Sequence, residues 1–313
     1  MRQIEPLRRP SGRTVVTVGN FDGVHRGHQA LLEAARRLAQ DKDAEMVCLT
    51  FDPHPLEVLK GPIRDYLLTP TEAKLRYLNQ YGTSWVAILP FTSELAQLSA
   101  ERFLDDYLTQ YLHAIGVVVG YNFTFGKGGE GTVETLRQWA GERVSVEVVP
   151  PVRLADGQVV SSSRIRRLLK QALLSEAVQA LGHPFAVQGK VVAGEGRGQT
   201  IGIPTANILP KVEQCMPPYG VYAGLMRSAD GLMYPAVANW GVRPTFDGQV
   251  PVLEIHALEL DQSVNLRGTI VDFEFNLKIR DETRFGSVDE LIAQIHRDIN
   301  TTRLYWRQQD ATC

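Results

Sequence analysis

Two histidines and an arginine lie close together in the stretch GNFDGVHRGH, residues 19–28. The run before it, TVVTV at 14–18, is β-branched and uncharged and predicts a buried strand. The run after it carries apolar residues at helical spacing and predicts a helix. His25 and His28 are therefore expected at the start of that helix, on one face because they are three residues apart. Positive charge opposes the helix dipole there, and a bound anion would remove the conflict.

The histidine pair also has two other interpretations. The side chains could simply be solvated at a helix start, or they could bind a metal together with Asp22 or His54. The metal interpretation is the weaker one, because no glutamate follows the histidines as in a zinc-protease helix. The position after a buried strand favours the anion.

A second basic helix start is predicted in SSSRIRRLL, residues 161–169. The serines are good N-caps, and capping alone accounts for them. Capping does not account for the arginines at 164, 166 and 167, which again oppose the dipole. Since arginine forms bidentate hydrogen bonds with phosphate oxygens, the two basic helix starts together indicate a bound polyphosphate.

The stretch GEGRGQTIGIPTAN, residues 194–207, is rich in glycine but matches neither a Walker A loop nor GxGxxG. It could be a plain hairpin loop, or its backbone N–H groups could hold phosphates beside Arg197. Thr205 and Asn207 are two residues apart, so on an extended chain both side chains face one way. Their oxygens suit Mg²⁺.

Glu254 lies in VLEIHALEL, where strand alternation places it opposite the apolar face. Spacing does not decide whether that second face meets solvent or lines a site.

Composition limits the class of protein. The 313 residues favour two domains, and 44% apolar with 22% charged residues is ordinary for a globular protein. The net charge of −2 gives no indication of a large nucleic-acid surface. The three cysteines form no metal or disulfide spacing, no secretory signal begins the chain, and no run reaches the roughly 18 apolar residues of a membrane helix. We expect a cytoplasmic protein without a membrane or nucleic-acid partner.

The elements that must position these residues fall into two regions with different secondary-structure patterns. Up to about residue 150, strands and helices alternate, which predicts an α/β doubly wound parallel sheet that binds ligands beyond the carboxyl ends of its strands. The predicted strands are 14–18, 46–51, 85–89, 115–120 and 144–149, and the predicted helices lie near 27–39, 71–80, 100–113 and 132–140. FDPHP (51–55) and GYNFTFGKGG (120–129) each follow a strand and are expected at the same edge.

Residues 161–183 predict one or two helices, with an apolar stripe of Ile165, Leu168, Leu169 and Leu173. After them the pattern becomes antiparallel and predicts a small β-barrel closed by a helix at about 288–309. Its strands are predicted at 187–193, 220–226, 235–239, 252–260 and 270–279, the last with a regular alternation from Val271 to Ile279. The expected domains are 1–182 and 183–313.

In combination, these motifs resemble the prokaryotic bifunctional riboflavin kinase/FMN adenylyltransferase family, also called FAD synthetases. The resemblance runs from about Val15 to Arg303 and rests on eight stretches that agree in order and spacing. They are GNFDGVHRGH, LTFDPHPLEVL, GYNFTFG, SSSRIRRLL, GRGQTIGIPTAN, YGVYAG, ANWGVRPTF and LEIHALEL. The departures are mild: Ser163 stands where threonine is common, HALEL replaces HLLDF, and ETRF has arginine where lysine is common.

The resemblance implies an enzyme that phosphorylates riboflavin to FMN with ATP and then adenylylates FMN to FAD, releasing pyrophosphate. Mg²⁺ would be the cofactor, ATP the co-substrate, and riboflavin, FMN and FAD the other ligands. The N-terminal domain would be a nucleotidyltransferase and the C-terminal barrel a riboflavin kinase. Oligomeric state is not implied.

The resemblance also implies roles for single residues. His25, His28 and Arg164 would be catalytic in adenylyl transfer, Asn122 would bind flavin, and Glu254 would be the general base of the kinase. Thr205 and Asn207 would hold the metal. The residues expected to bind ATP are Gly19, Phe21, Asp22, His25, His28, Ser162 and Arg164 in the first domain, and Gly194, Gly196, Arg197 and Gly198 in the second.

Two rival classes differ from this expectation. In one, the chain is an adenylyltransferase whose barrel only binds flavin or regulates, but the PTAN stretch and Glu254 are both intact. In the other, the protein acts on RNA, because HRGH is also similar to the HIGH signature of class I aminoacyl-tRNA synthetases. No KMSKS stretch accompanies it, and the charge is slightly acidic.

Overall fold

The computed structural model describes residues 2–3, 10, 12–194, 198, 201–245, 248–261 and 264–310. The chain divides into two compact units, Met1–Arg164 and Ile165–Cys313. The boundary predicted at 182/183 concerns functional domains and stays a prediction.

The first unit is built on a six-stranded parallel sheet with the strand order β1-β4-β3-β2-β5-β6. Its strands are β1 (Arg2–Gln3), β2 (Thr14–Val18), β3 (Glu45–Asp52), β4 (Trp85–Pro90), β5 (Ala114–Gly120) and β6 (Ser145–Val149). The chain runs from β2 towards β4 in one direction and from β5 to β6 in the other, so the order reverses between β2 and β5. Ligands of such sheets bind at that reversal, beyond the strands' carboxyl ends.

Helices cover both faces of this sheet, as predicted. They are α1 (Arg26–Asp41), α2 (Pro55–Lys60), α3 (Thr71–Gln80), α4 (Ser93–Ala96), α5 (Ala100–Phe103) and α6 (Val133–Ala140), with a π-helix at Leu104–Tyr111 and a 3₁₀ turn at Lys127–Gly129. Successive strand residues point to opposite faces. Val15 accordingly packs in the cluster that contains Leu32 of α1, and Val16 packs in the cluster that contains Phe103 of α5.

Two predictions in this unit need correction. The helix predicted at 100–113 is an α-helical turn followed by the π-helix, because one apolar stripe does not distinguish the two windings. The short helices α2 and α4 were not predicted, since four to six residues carry too little periodicity.

The second unit begins with the two predicted helices, which the chain forms as α7 (Ser162–Lys170, starting in the first unit) and α8 (Leu174–Leu181). A closed barrel follows, with the strand order β10-β11-β8-β7-β12-β9. Its strands are β7 (Ala186–Val192), β8 (Ala206–Ile208), β9 (Gly220–Arg227), β10 (Met233–Thr245), β11 (Gly248–Ala257) and β12 (Ile270–Arg280), and α9 (Val288–Asp310) packs on β9 and β10. All neighbouring strands in the barrel are antiparallel.

Three details of this unit differ from the prediction. Leu173 is 40% exposed instead of buried in the apolar stripe, because the chain leaves the helix there before α8. β8 was not predicted, since three residues give no measurable alternation. The regular alternation of β12 is interrupted by irregularities in its pairing with β9, after Phe275 and after Lys278.

No helix among the described residues is long and apolar enough to cross a membrane.

Candidate active sites

The first candidate site lies where the parallel sheet reverses its strand order. β2 ends at Val18, and the loop 19–25 leads directly into α1. Asn122 follows β5 closely and is exposed, and a Cβ on Gly120 would lie 3.5 Å from its Oδ1, while Asp52 ends β3 and His54 follows it. The strands are parallel, so these residues end at one edge, as the sequence predicts.

The two histidines stack at the first turn of α1. His25 is the N-cap, and its Nδ1 accepts a hydrogen bond from the backbone N–H of His28 at 3.3 Å. The two rings are nearly parallel, with centroids 3.7 Å apart and an interplanar angle of 11°. A Cβ on Gly27 would lie 3.1 Å from the His25 ring, so the glycine between the histidines makes room for this stack.

His28 is held in its neutral form. Burial lowers its pKa well below the usual value, and the nearby His25 and Lys74 lower it further. Its Nδ1 is buried and has no hydrogen-bond partner within the described parts of the chain. Unsatisfied buried nitrogens are rare and are typical of functional sites, so this imidazole keeps a free hydrogen-bonding atom where a ligand would bind.

The loop between β2 and α1 is held in an unfavourable backbone conformation. Phe21 and Val24 have positive φ angles of 50° and 36°, which are unusual for residues other than glycine. Phe21 is fully buried and its ring packs on His28, with centroids 5.1 Å apart. The buried Asp22 carboxylate accepts a hydrogen bond from the Thr69 backbone N–H at 3.1 Å. Strained loops persist where such contacts over-determine them, and they concentrate at functional sites.

The α7 start contacts this loop through its serines. Ser161 Oγ caps the helix by accepting from the Arg164 N–H at 3.2 Å, and Ser162 Oγ donates to the Asp22 carbonyl at 3.0 Å. Arg164 is 8% exposed, and its guanidinium pairs with Asp156 and donates to the Gln158 carbonyl at 3.3 Å. The two segments predicted to hold a polyphosphate are therefore in contact, and Arg164 is paired with the carboxylate of Asp156.

A metal bound by the histidines finds no support in the geometry. Within the described residues, no group of three or more His, Cys, Asp or Glu side chains is arranged to hold a metal ion. His54 caps α2 by accepting from the Leu56 N–H at 3.2 Å.

Lys74 on α3 is a residue that the sequence analysis missed. It is 6% exposed, and its ammonium donates to Thr50 Oγ1 and the Phe51 carbonyl, both at 3.2 Å, and to the Asn20 carbonyl at 3.4 Å. Burial lowers the pKa of Lys74, against the opposing influence of Asp52, Asp22 and Cys48. The helical spacing of α3 places Lys74 on the same face as Leu78, which was the available signal.

The second candidate site is made by neighbouring barrel strands. Asn207 on β8 lies opposite Glu254 on β11, and Asn239 on β10 lies opposite Glu254 from the other side. Leu253 and Ile255 are buried, whereas Glu254 is half-buried, as alternation predicts.

Arg243 joins the two predicted side chains and was not predicted. Its Nε donates to Glu254 Oε1 at 2.5 Å, and its Nη2 donates to Asn207 Oδ1 at 3.0 Å. Both members of the Arg243–Glu254 ion pair are about a quarter exposed, at 26% and 25%. One guanidinium therefore orients the carboxylate and the amide together.

Gly194 and Gly198 lie against the PTAN stretch. A Cβ on Gly194 would lie 2.3 Å from Asn207 Nδ2, and a Cβ on Gly198 would lie 3.5 Å from Thr205 Oγ1 and 2.3 Å from the Ile203 carbonyl. Gly194 and Gly198 thus permit close approach to the two residues predicted to hold metal. Gly196 and Arg197 lie outside the described residues.

His256 fixes the backbone just before Thr205. Its Nδ1 is 2.8 Å from the Pro204 carbonyl, so that nitrogen carries the proton. The pKa of His256 lies below its usual value, chiefly because of burial. The hydrogen bond to Pro204 opposes this shift, and Arg303 adds to it. The polar face of β11 therefore serves the site.

Together, a histidine pair at the reversal point of a parallel sheet and a separate barrel with an oriented carboxylate define a two-domain transferase that acts on phosphorylated ligands. Residues 8–164 match the family model for FAD synthetase, and residues 181–306 match the model for riboflavin kinase.

Named relatives cover nearly the whole chain. The bifunctional riboflavin kinase/FMN adenylyltransferase of Escherichia coli strain K12 is 40% identical over 95% of this chain and 94% of its own. The Listeria monocytogenes protein of the same name is 36% identical over 93% and 92%. A crystal structure from Streptococcus pneumoniae, described as a macrolide-efflux protein, is 33% identical with a TM-score of 0.84 over 94% of each chain. The chain belongs to the bifunctional riboflavin kinase/FMN adenylyltransferase family, and it is an enzyme with a domain for each activity.

Proposed function

We propose that the first unit transfers the adenylyl group of ATP to FMN and that the barrel transfers the γ-phosphoryl group of ATP to riboflavin. The observation that carries the proposal is that each unit holds a preorganised polar site of its own. In one, His25 and His28 stack beside a loop that Ser162 contacts at Asp22, and in the other, Asn207 and Glu254 share Arg243.

In adenylyl transfer, a phosphate oxygen of FMN attacks the α-phosphorus of ATP, and the bond to the β-phosphate oxygen breaks as pyrophosphate leaves. The nucleophile is already ionised, so no general base is required. His25, His28 and the N–H groups at the α1 start stabilise the charge that develops on the phosphates. Arg164 reaches the phosphates only by exchanging or sharing its partner Asp156, and Asn122 contacts the flavin.

In the kinase reaction, Glu254 accepts the proton of the ribityl hydroxyl as the hydroxyl oxygen bonds to the γ-phosphorus, and the bond from the γ-phosphorus to the bridging oxygen breaks as ADP leaves. A positioned carboxylate suits this role, since the hydroxyl is a poor nucleophile at neutral pH. Arg243 keeps the carboxylate aimed before substrate binds.

The side chains at β8 fit Mg²⁺. A threonine hydroxyl and an amide oxygen are hard donors, and Gly194 and Gly198 allow the backbone to approach these two residues closely. Thr205 Oγ1 and Asn207 Oδ1 would hold the ion, which when bound neutralises phosphate charge. Asn207 Oδ1 already accepts from Arg243, so the amide is oriented in advance.

The expected ligands are riboflavin, FMN, FAD and ATP, with no nucleic-acid or membrane partner. A cytoplasmic location stays a prediction. It is based on the cysteines, of which Cys48 and Cys215 are buried.

The deciding experiment incubates the protein with riboflavin, ATP and Mg²⁺ and separates FMN from FAD by chromatography. We expect FMN to form first and FAD to follow. If FAD forms only when FMN is supplied, the barrel is not a kinase and only binds flavin or regulates. If neither product forms from either flavin, both site assignments are wrong.

A further inference from the structure

The buried ammonium of Lys74 lies beneath the loop that carries the two histidines. Lys74 belongs to α3, which packs on the same face of the sheet as α1, and its side chain reaches the carboxyl ends of β2 and β3. A buried lysine is rare because removing an ammonium from water is unfavourable. Its presence at this edge of the sheet therefore needs a reason beyond packing.

The contacts of Lys74 converge on one carbonyl. Asn20 O accepts from Lys74 Nζ at 3.4 Å and from Thr50 Oγ1 at 3.2 Å, while Thr50 Oγ1 in turn accepts from Lys74 at 3.2 Å. Asn20 directly precedes Phe21, the first of the two non-glycine residues with positive φ in the loop. The ammonium therefore ties the beginning of the strained loop to the end of β3.

The charge of Lys74 is not neutralised locally. The three hydrogen-bond acceptors are two carbonyls and a hydroxyl, and within the described residues no carboxylate forms an ion pair with this ammonium. Asp22 and Asp52 influence it only from a greater distance. A buried positive charge with neutral partners projects a positive potential towards the strand ends, where an anionic ligand would bind.

We propose that Lys74 is a positioning residue of the adenylyl-transfer site, which holds the Asn20 carbonyl and places a fixed positive charge beneath the histidine loop. It does not touch the reacting atoms. The inference rests on the proposed role of His25 and His28 in ATP binding.

The test uses the full chain with Lys74→Met, which keeps the length of the side chain and removes the charge and the donors. Arg76→Met removes an exposed cation from the same helix and is the matched control. We expect FMN adenylylation by Lys74→Met to fall about 10²-fold, the effect of a small displacement at a reacting centre, with a raised KM for ATP. Riboflavin phosphorylation should be unchanged in both variants, and the Tm of each variant reports on the integrity of the first unit.

The pH profile separates positioning and charge from a purely structural role. The ionisable groups near Lys74 are Asp22, Asp52, Cys48 and His28, and His25 lies next to His28. Removing the ammonium removes one cause of the lowered pKa of His28, so the limb of the adenylylation profile due to His28 should move to higher pH. Thr50→Val removes one donor to Asn20 but keeps the charge, so its rate should fall while the limb stays in place.

Three outcomes would overturn the inference. One is adenylylation by Lys74→Met within twofold of Arg76→Met; another is a His28 limb that does not move. The third is a Thr50→Val rate equal to wild type, which decides the matter even if Lys74→Met does not fold. If His28→Ala is also fully active, the site assignment itself has failed; if His28→Ala is impaired and Lys74→Met is not, only the role of Lys74 is wrong.

Discussion

In the first unit the candidate site is built from loops and helix starts, whereas in the barrel it is built from side chains on three neighbouring strands. His25 and His28 are placed by a glycine, a capping bond and a strained loop. Glu254 and Asn207 are placed by strand register and by one arginine on β10.

The two sites also treat charge differently. The first combines neutral His28 with the buried ammonium of Lys74, which has no carboxylate partner among the described residues, so it suits an anionic ligand. The second contains a carboxylate that Arg243 orients, and a carboxylate is a proton acceptor of the kind that a neutral hydroxyl nucleophile requires. This difference agrees with one substrate that is a phosphate and another that is an alcohol.

The largest expected effect comes from separating the two sites on different fragments of the chain. A fragment beginning at residue 183 should make FMN and no FAD, since every predicted adenylylation residue lies before it. The structure also allows two fragments to be compared. Helix α8 contacts β12, and a fragment beginning at Ile165 keeps that contact whereas one beginning at residue 183 loses it. We expect the longer fragment to have the higher Tm. A folded fragment without kinase activity, beside an active full chain, would show that the barrel is not self-sufficient.

Glu254→Gln tests the barrel site while keeping the size of the side chain. The glutamine cannot accept the proton, so riboflavin phosphorylation should fall by about 10²–10⁴-fold with flavin affinity little changed. FMN adenylylation should persist at the wild-type rate. Tm is measured alongside, and phosphorylation near the wild-type rate in a stable variant would mean that Glu254 is only a solvated strand residue.

His28→Ala is the matching test of the first site. Loss of one charge-stabilising donor typically lowers a rate by about 10²–10³-fold, and we expect that loss in FAD formation with FMN formation spared. Arg164→Ala should act in the same direction and also weaken ATP binding. Equal losses in both reactions would point instead to a folding defect.

Arg243→Lys measures how much the barrel site depends on orientation. Lysine keeps the positive charge but cannot hold Glu254 and Asn207 with two nitrogens at once. We expect phosphorylation to fall by about 10-fold, less than for Glu254→Gln, because the base itself remains. The comparison is made at saturating ATP and riboflavin, and an unchanged kcat would remove Arg243 from the positioning of the base.

The sequence predicted the first site better than the second for a physical reason. Residues that follow parallel strands meet at one edge whatever the details of packing, so His25 and Asn122 could be assigned to one region from motif order alone. The resemblance supplied their roles. Lys74 escaped because a lysine on a helix is usually solvated, and its burial depends on tertiary packing.

In the barrel, Glu254 and Asn207 were assigned by resemblance, but their partner was not. Arg243 reaches them only because β10 and β11 pair in one register, which places Asn239 opposite Glu254 and the arginine four residues further along. A shift of one residue would turn each side chain to the other face. Strand register depends on barrel closure, so no local pattern could have identified this contact.

The smallest expected effect concerns pH, and it follows from neutral His28. In the unfolded chain a histidine gains its proton as pH falls through about 6.5, whereas folded His28 does so only at lower pH, because burial, His25 and Lys74 lower its pKa. Between those two values the unfolded state binds more protons, so stability falls as pH falls, by at most about 1.4 kcal/mol per pH unit for one group. His28→Gln should flatten that part of the urea-unfolding profile of the first unit, and His113→Asn, at an exposed position in the same unit, is the control.

The phosphates of ATP should reverse the shift in the pKa of His28 by favouring the imidazolium, so ATP binding near pH 6.5 should take up a proton. Calorimetric titration in buffers of different ionisation enthalpy measures that uptake directly, and its absence in the wild type would mean that His28 does not contact the bound phosphates.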